Sequence, residues 1–429
     1  MKKIVKSATS IMLASAMFLT SCGGSSDTSS SEGADTGSES SDAEEVVEVQ
    51  YDQGVTDDTV KVGNSIAVSG ALAPVGVPFK AGIEAYFKMI NDGGGIDGRQ
   101  IEYVHQDDEF SPEKGKAALE KLVHDEEVFA IVGHFGTPVV GATLSDINEI
   151  GIPTVYFATG TGILYNENAT EGDGLSTFPV QPVYPMEGRI LSTWAKGKFE
   201  GESVGVIYTN DDAGKDLLSG IEKEAADLGL EVVAEQVQVG DVDVSAAVTK
   251  INDADVDVVL VAAIQNTFPQ VVKELAKQGN DAPVITTYVN ADPTMTESVA
   301  TDVGDKFEVY ADTWVDVTQE DSLATFGEWV SQVSSEDFTS NSYAMTGWIA
   351  AHFFCEGLDR LDDQDITWEN YIAALESEPV KNPFGGYIDF ANGARLGTSE
   401  MGLVKMDPTS PLGWADEEAI QSMSDMLGE

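Results

Sequence analysis

Residues 62–112 read VGNSIAVSGALAPVGVPFKAGIEAYFKMINDGGGIDGRQIEYVHQDDEFSP. Val60 to Val68 has the β-branched, apolar character of a strand. Phe79, Ile83, Tyr86, Phe87 and Ile90 then recur at helical spacing on one face. The glycine cluster Gly93-Gly94-Gly95-Ile96-Asp97-Gly98 stops that helix, and Ile101 to Val104 is the next strand. The cluster matches G-x-G-x-x-G literally, but the dinucleotide fingerprint must follow a strand and open a helix. Here it follows a helix and precedes a strand, so it reads as a turn. Strand, helix, turn and strand make one βαβ unit, which points to an α/β fold with a parallel sheet.

The alternation continues outward from this unit. Ala117, Leu119, Leu122 and Val123 mark a helix, and Val128 to Val132 is a continuous apolar run of the kind a buried parallel sheet uses. Thr137-Pro138 opens a helix through Ile147, with Thr137 as the expected N-cap and Pro138 at the first helical position. Ile152 to Phe157 is the following strand. A second series then begins: strand Val204 to Tyr208, helix Leu217 to Leu228, strand Val256 to Ala262, helix Phe268 to Leu275, strand Val284 to Thr287. Two such series in 429 residues predict two doubly wound parallel-sheet lobes. Residues 322–378 read as helical, with Tyr343, Trp348, Ile349, Phe353 and Phe354 as a core stripe. Gly385 to Met406 reads as short strands.

The chain carries 74 acidic against 23 basic residues, a net charge of −51. A nucleic-acid binder needs a basic face, so that class is excluded and no nucleic-acid partner is expected. Cys22 and Cys355 are the two cysteines, and no Cys/His cluster has zinc spacing, so neither metal nor cofactor is expected. Cys355 sits in an apolar helical run and reads as core filler. The sequence contains no Walker A, H-E-x-x-H or G-x-S-x-G pattern, and no nucleophile–base pair is apparent. An enzyme is therefore not expected.

The N-terminus reads as an address. Lys2, Lys3 and Lys6 precede the short apolar run Ile11 to Leu19, and the segment ends Leu19-Thr20-Ser21-Cys22-Gly23. Residues 1–22 are expected to be a lipoprotein signal peptide, with Cys22 as the lipidated residue. Residues 23–56 are rich in Ser, Gly, Asp and Glu and are expected to be a flexible leash. Together they predict an extracytoplasmic body anchored to a membrane by lipid.

Site signals lie at strand C-terminal ends, where open α/β sheets bind ligands. Gly133-His134-Phe135-Gly136-Thr137-Pro138 places small residues and a hydroxyl at a helix N-terminus, which suits a carboxylate. Ala158-Thr159-Gly160-Thr161 repeats that chemistry on the neighbouring strand. His134 is read as structural. Gln181, Tyr184, Gln265 and Tyr288 lie near strand ends and are candidate pocket residues.

The combination of SGALA (69–73), GGGIDGR (93–99), DDEFSP (107–112), VGHFGT (132–137) and YTNDDAGKD (208–216) resembles the leucine/isoleucine/valine-binding protein family. These are solute-binding components of ABC importers with the type I periplasmic-binding-protein fold. The resemblance runs from about Asp57 to the C-terminus. It implies two lobes joined by a three-segment hinge, one of residues 57–180 and 316–382, the other of 181–315 and 383–429. A ligand would lie between them, delivered to a membrane permease by a monomeric receptor; a sensor module presenting the same ligand class to a membrane receptor is the alternative. By the same resemblance Thr137 supplies a hydroxyl for a ligand carboxylate. Ala158 and Gly160 fall where a backbone carbonyl and a further hydroxyl meet an amino-acid head group. Gly160 lacks that hydroxyl, so Thr159 or Thr161 would serve. Asp292 falls where an acid pairs with the α-ammonium. Ala71 belongs to the same ligand-binding set, and Val75 and Ala213 replace family aromatics. Phe110 and Gly136 stand where the family has a disulfide. Smaller walls imply a roomier pocket, for an amino acid or a related, larger or aromatic carboxylate.

Overall fold

The computed structural model describes residues 51–362 and 364–429. The expected signal peptide, Cys22 and most of the leash lie outside the described residues. The first series is β1 (Thr59–Ile66), α1 (Ala73–Asp92), β2 (Gln100–Asp107), α2 (Pro112–Glu120), β3 (Ala130–Phe135), α3 (Thr137–Ile150), β4 (Thr154–Ala158) and β5 (Thr177–Phe178). The second is α4 (Tyr184–Gly197), β6 (Ser203–Thr209), α5 (Asp212–Leu228), β7 (Glu231–Val237), α6 (Ser245–Asp253), β8 (Val258–Ala262), α7 (Thr267–Gln278), β9 (Val284–Thr286), α8 (Pro293–Val303) and β10 (Val309–Thr313). The chain ends with α9 (Glu320–Val333), α10 (Ser342–Asp359), α11 (Trp368–Ser377), β11 (Val380–Lys381), β12 (Tyr387–Ile388), β13 (Glu400–Met406), β14 (Trp414–Ser422) and α12 (Met423–Leu427).

The first sheet has the order β2-β1-β3-β4-β5 and is parallel throughout. The second has the order β14-β13-β10-β9-β8-β6-β7. It is parallel from β6 to β10, with β13 and β14 added antiparallel at one edge. Every residue of β3 and of β8 is buried, as expected for central strands covered on both faces. Strand order reverses between β1 and β3 in one sheet and between β6 and β8 in the other. Each reversal opens a crevice beyond the strand C-termini.

Helix packing depends on glycines in both lobes. A Cβ on Gly82 of α1 would strike the carbonyl oxygen of Ala344 on α10, and one on Gly347 would strike that of Phe79. The same reciprocal contact joins α4 and α5: Gly188 faces the Leu217 carbonyl and Gly220 the Pro185 carbonyl. Backbones this close leave no room for any side chain.

Three details differ from the sequence reading. Residues 51–56, assigned there to the leash, lie against the first lobe. Tyr51 bridges to Ile366, Val55 to Val60, and the Lys61 N–H donates to the Gly54 carbonyl at 2.7 Å. The apolar Tyr51 and Val55 pack against that lobe's core. Second, the chain leaves the first lobe for the last time after Phe390, later than residue 382. Phe384, Ile388 and Phe390 belong to its core, and β12 pairs with β11. Arg395 fixes this last crossing. Its guanidinium is fully buried, lies 4.3 Å from the Phe178 ring centroid, pairs with Glu376, and donates to the carbonyls of Gly174 and Leu175. Third, Thr137 is the first residue of α3, and Gly136 is its N-cap. Gly136 has φ +90°, a conformation that favours glycine, which frees the Thr137 hydroxyl for a different bond.

Candidate functional site

The crevices of the two sheets face one another across a cavity of about 100 Å³. One wall comes from the first lobe: Val75 and Phe79 of α1, Phe135 at the end of β3, Gly136, Thr137, and Ala158 at the end of β4. The other comes from second-lobe strand ends, with Ile264 and Gln265 after β8 and Tyr288 and Val289 after β9. Trp314 and Val315, in the crossing after β10, and Tyr343 and Thr346 on α10 close the rest.

Seven aromatic side chains line the walls. Phe79 and Phe135 lie 5.8 Å apart, and Phe110 packs edge-on to Phe135 at 6.2 Å. Across the cavity Tyr184 stacks on Tyr288 at 6.3 Å, and Trp314 meets Tyr288 edge-on at 6.4 Å. A Cβ at residue 136 would lie 2.5 Å from the Phe110 ring. Gly136 thus serves the helix start and admits the ring at once.

Most of the polar side chains are held by partners within the protein. The Thr137 and Thr159 hydroxyls are 2.7 Å apart. Gln181 accepts from the Tyr156 hydroxyl at 3.0 Å and donates to the Tyr288 hydroxyl at 2.7 Å, which donates to the Pro182 carbonyl at 3.0 Å. Burial pushes the Tyr184, Tyr288 and Tyr343 phenols up from their ordinary range, so they stay neutral. At the start of α3 Pro138 has no N–H and Val140 N donates to the Gly136 carbonyl, which leaves the Thr137 and Val139 amides without an intrahelical acceptor, and the helix dipole makes this end positive. Among the described residues that line the cavity, none is Asp, Glu, Lys, Arg or His.

Of the residues singled out from sequence, Val75, Gly136, Thr137, Ala158, Gln265 and Tyr288 line the cavity, as do Gln181 and Tyr184. Ala71, Thr159, Gly160, Ala213 and Asp292 do not. Ala71 is exposed in a short turn after β1. Ala213 is buried in a core cluster of the second lobe. Thr159 supports Thr137 from behind and accepts the Thr161 N–H at 3.2 Å. Gly160 has no space for a side chain: a Cβ would lie 2.5 Å from the Pro182 carbonyl and 2.8 Å from the Tyr184 ring. The Thr161 hydroxyl donates to Asp216 of the second lobe at 3.2 Å.

Asp292 is the clearest departure. Its carboxylate is fully buried, and both oxygens are engaged within the protein. Oδ1 caps α8, accepting from Thr294 N at 3.0 Å and Thr294 Oγ1 at 2.6 Å. Oδ2 crosses to the first lobe and accepts from Ser342 N at 3.1 Å and Ser342 Oγ at 2.7 Å. It caps a helix and clasps the lobes, which leaves no oxygen facing a ligand ammonium. Asp-Pro-Thr is an N-cap signature, with Pro at the first helical position, so this role was readable in the sequence.

Behind Tyr288 lies a second buried pair. Glu187 Oε1 accepts the Tyr288 N–H at 2.8 Å, and Asp312 Oδ1 accepts the Trp194 indole N–H at 2.8 Å. Glu187 Oε2 and Asp312 Oδ2 are buried without a hydrogen-bond partner. Burial pushes the Glu187 carboxyl up to about 8, against hydrogen bonds from Tyr288 and Thr287 that pull it down. Burial and the Glu187 charge push Asp312 well up as well. His134, read as structural, is buried away from the cavity with Nε2 2.7 Å from the Thr143 hydroxyl; burial lowers it to about 4, so it is neutral.

Comparison with known proteins agrees with this architecture. The family described as periplasmic binding protein matches residues 59–411. A Leu/Ile/Val-binding protein homolog 1 of Brucella abortus is 25% identical over 327 residues, covering 76% of this chain and 85% of that protein. The fatty acid ABC transporter substrate-binding protein from Thermomonospora curvata superposes with a TM-score of 0.76 at 21% identity, covering 89% of this chain and 96% of that one. A branched chain amino acid ABC transporter protein from Thermus thermophilus with bound valine gives 0.76 at 18% identity, covering 87% and 98%. The chain belongs to the periplasmic binding protein family, with leucine/isoleucine/valine-binding proteins among its relatives.

Proposed function

We propose that this protein is the extracytoplasmic solute receptor of an ABC importer and that its ligand is a small apolar carboxylate without an α-ammonium. The observation that carries the ligand class is the lining: aromatic rings, the Thr137 hydroxyl at the start of α3, where no side chain caps the helix, and no acidic side chain. A buried ammonium needs a counter-charge or several acceptors, and its nearest candidate, Asp292, is already used. Aromatic faces also attract cations, but the positive end of α3 at Thr137 opposes one. A carboxylate instead gains the Thr137 hydroxyl and amide at the positive end of α3. The family hosts both kinds of ligand by name, a fatty acid in one relative of this fold and valine in another, so the lining decides between them. In this reading Cys22 carries the lipid anchor, residues 23–50 tether the body, the receptor acts as a monomer, and a membrane permease receives the ligand.

A thermal-shift panel of free amino acids, benzoate and short aliphatic acids tests the proposal. A ligand at about 100 times its Kd adds about 2.7 kcal/mol to the folded state. Aromatic or aliphatic acids are expected to raise Tm, and Thr137→Ala to weaken them by about 1.5–3 kcal/mol, as for a hydrogen bond to a charged group. Shifts confined to free amino acids would overturn the ligand class. Turnover of any panel member would overturn the receptor reading.

A further inference from the structure

A second chamber, of about 50 Å³, adjoins the first. It is lined by Pro293 at the start of α8, Val317 in the crossing after β10, Met345 on α10, Val404 on β13, and Leu412 and Trp414 at the β13–β14 turn. Its polar groups are Ser340, Ser342, Thr313 and the exposed Asp416. Ala291, Thr313, Val315 and Ser342 line both chambers. The partition is therefore one layer of mostly small side chains, drawn from three separate segments rather than from one element's face. Gly136 and Thr137 line the first chamber alone.

We infer that the two chambers form one ligand site: the first takes the carboxylate end, and a linear apolar tail passes Ala291 and Thr313 into the second. The inference rests on the carboxylate reading of the first chamber. Its physical basis is the division of chemistry between the two spaces. The α3 N-terminus, which no side chain caps, belongs to the first chamber only, whereas the starts of α8 and α10, brought to the second by Pro293 and Ser342, are already bonded to the Asp292 carboxylate. The second offers mainly aliphatic and indole surface, which rewards burial of methylene groups, and its one charged group, Asp416, is an anion that disfavours a second carboxylate. Its small volume ends the site after a few carbons. A compact acid such as benzoate would use the first chamber alone.

The test is calorimetric titration of the protein with straight-chain acids from butanoate to decanoate, with benzoate as the compact reference. In the wild type, affinity is expected to rise about fourfold per added methylene through the middle of the series, then stop. Leu412→Trp and Val317→Phe each fill the second chamber from a partly exposed loop position. Each should abolish the rise and leave benzoate within about twofold of wild type; either variant alone suffices if the other loses its native Tm. Benzoate binding with a flat response to chain length would overturn the two-chamber site and leave the carboxylate reading standing. A rise that persists unchanged in both filled variants would overturn it too. Silence toward benzoate and every chain would overturn both readings.

Discussion

Gly347→Ala is expected to destabilise the protein by about 3 kcal/mol or more, the upper range for overpacking in a closed interface. The new methyl would be driven into the Phe79 carbonyl of α1, a backbone atom that cannot rotate away. Gly82→Ala meets the Ala344 carbonyl from the opposite side and should behave alike. Gly141, in α3, is the control: it is exposed, and nothing lies within 4 Å of where its Cβ would be. There alanine should stabilise by about 0.5–1 kcal/mol, the ordinary helix preference. Urea denaturation of the three variants reads the difference directly. Equal effects at residues 347 and 141 would mean that α1 and α10 do not pack as described.

Glu187→Gln is expected to remove much of a pH dependence from stability. The folded state holds the Glu187 proton up to about pH 8, whereas an ordinary glutamate loses it near 4.5. Between those values the native state binds more protons than the unfolded one, so this group's contribution falls as pH rises. The contribution is fully present below about pH 4.5 and lost as pH passes through about 8. The slope is on the order of 1.4 kcal/mol per pH unit for one proton. Glutamine keeps an acceptor for Tyr288 N and sets an N–H₂ group in place of the unpartnered oxygen. Chemical denaturation at pH 5 and pH 8 should show the variant gaining on wild type by a few kcal/mol across the interval. Asp312→Asn, added to it, should flatten the profile further, because burial also raises that carboxyl. Parallel profiles for wild type and Glu187→Gln would refute the buried-acid account.

The architecture was legible because each half of the chain repeats one local grammar. Residues 60–104 show strand, helix and turn in forms that only an α/β unit satisfies together. The site was legible where it sits on strand ends, because small and hydroxyl residues after buried strands have no packing purpose of their own. Gly136, Thr137 and Ala158 were read in this way, and Gln265 and Tyr288 by position, and all five line the candidate cavity. Phe79 and Tyr343 were not, because their spacing marks them as core. They are core: the cavity is a gap in the same aromatic packing, so one side chain faces both. Trp314 and Ser342 escaped for another reason. Each reaches the site through long-range placement, Trp314 in a crossing and Ser342 beside Asp292, and no local pattern encodes that. Asp292 shows the converse case. Alignment to a family position offered a ligand contact, while the residue's own neighbours, Pro293 and Thr294, described a helix cap.

The central claim is that the cleft takes a carboxylate and has no place for an α-ammonium. Calorimetric titration with leucine and with 4-methylpentanoate, the same carbon skeleton without the amine, tests it most directly. The account predicts that 4-methylpentanoate binds at least roughly 100-fold tighter, since a buried ammonium without a paired acid costs several kcal/mol. Leucine binding as tightly as its deaminated counterpart, or more tightly, would contradict it.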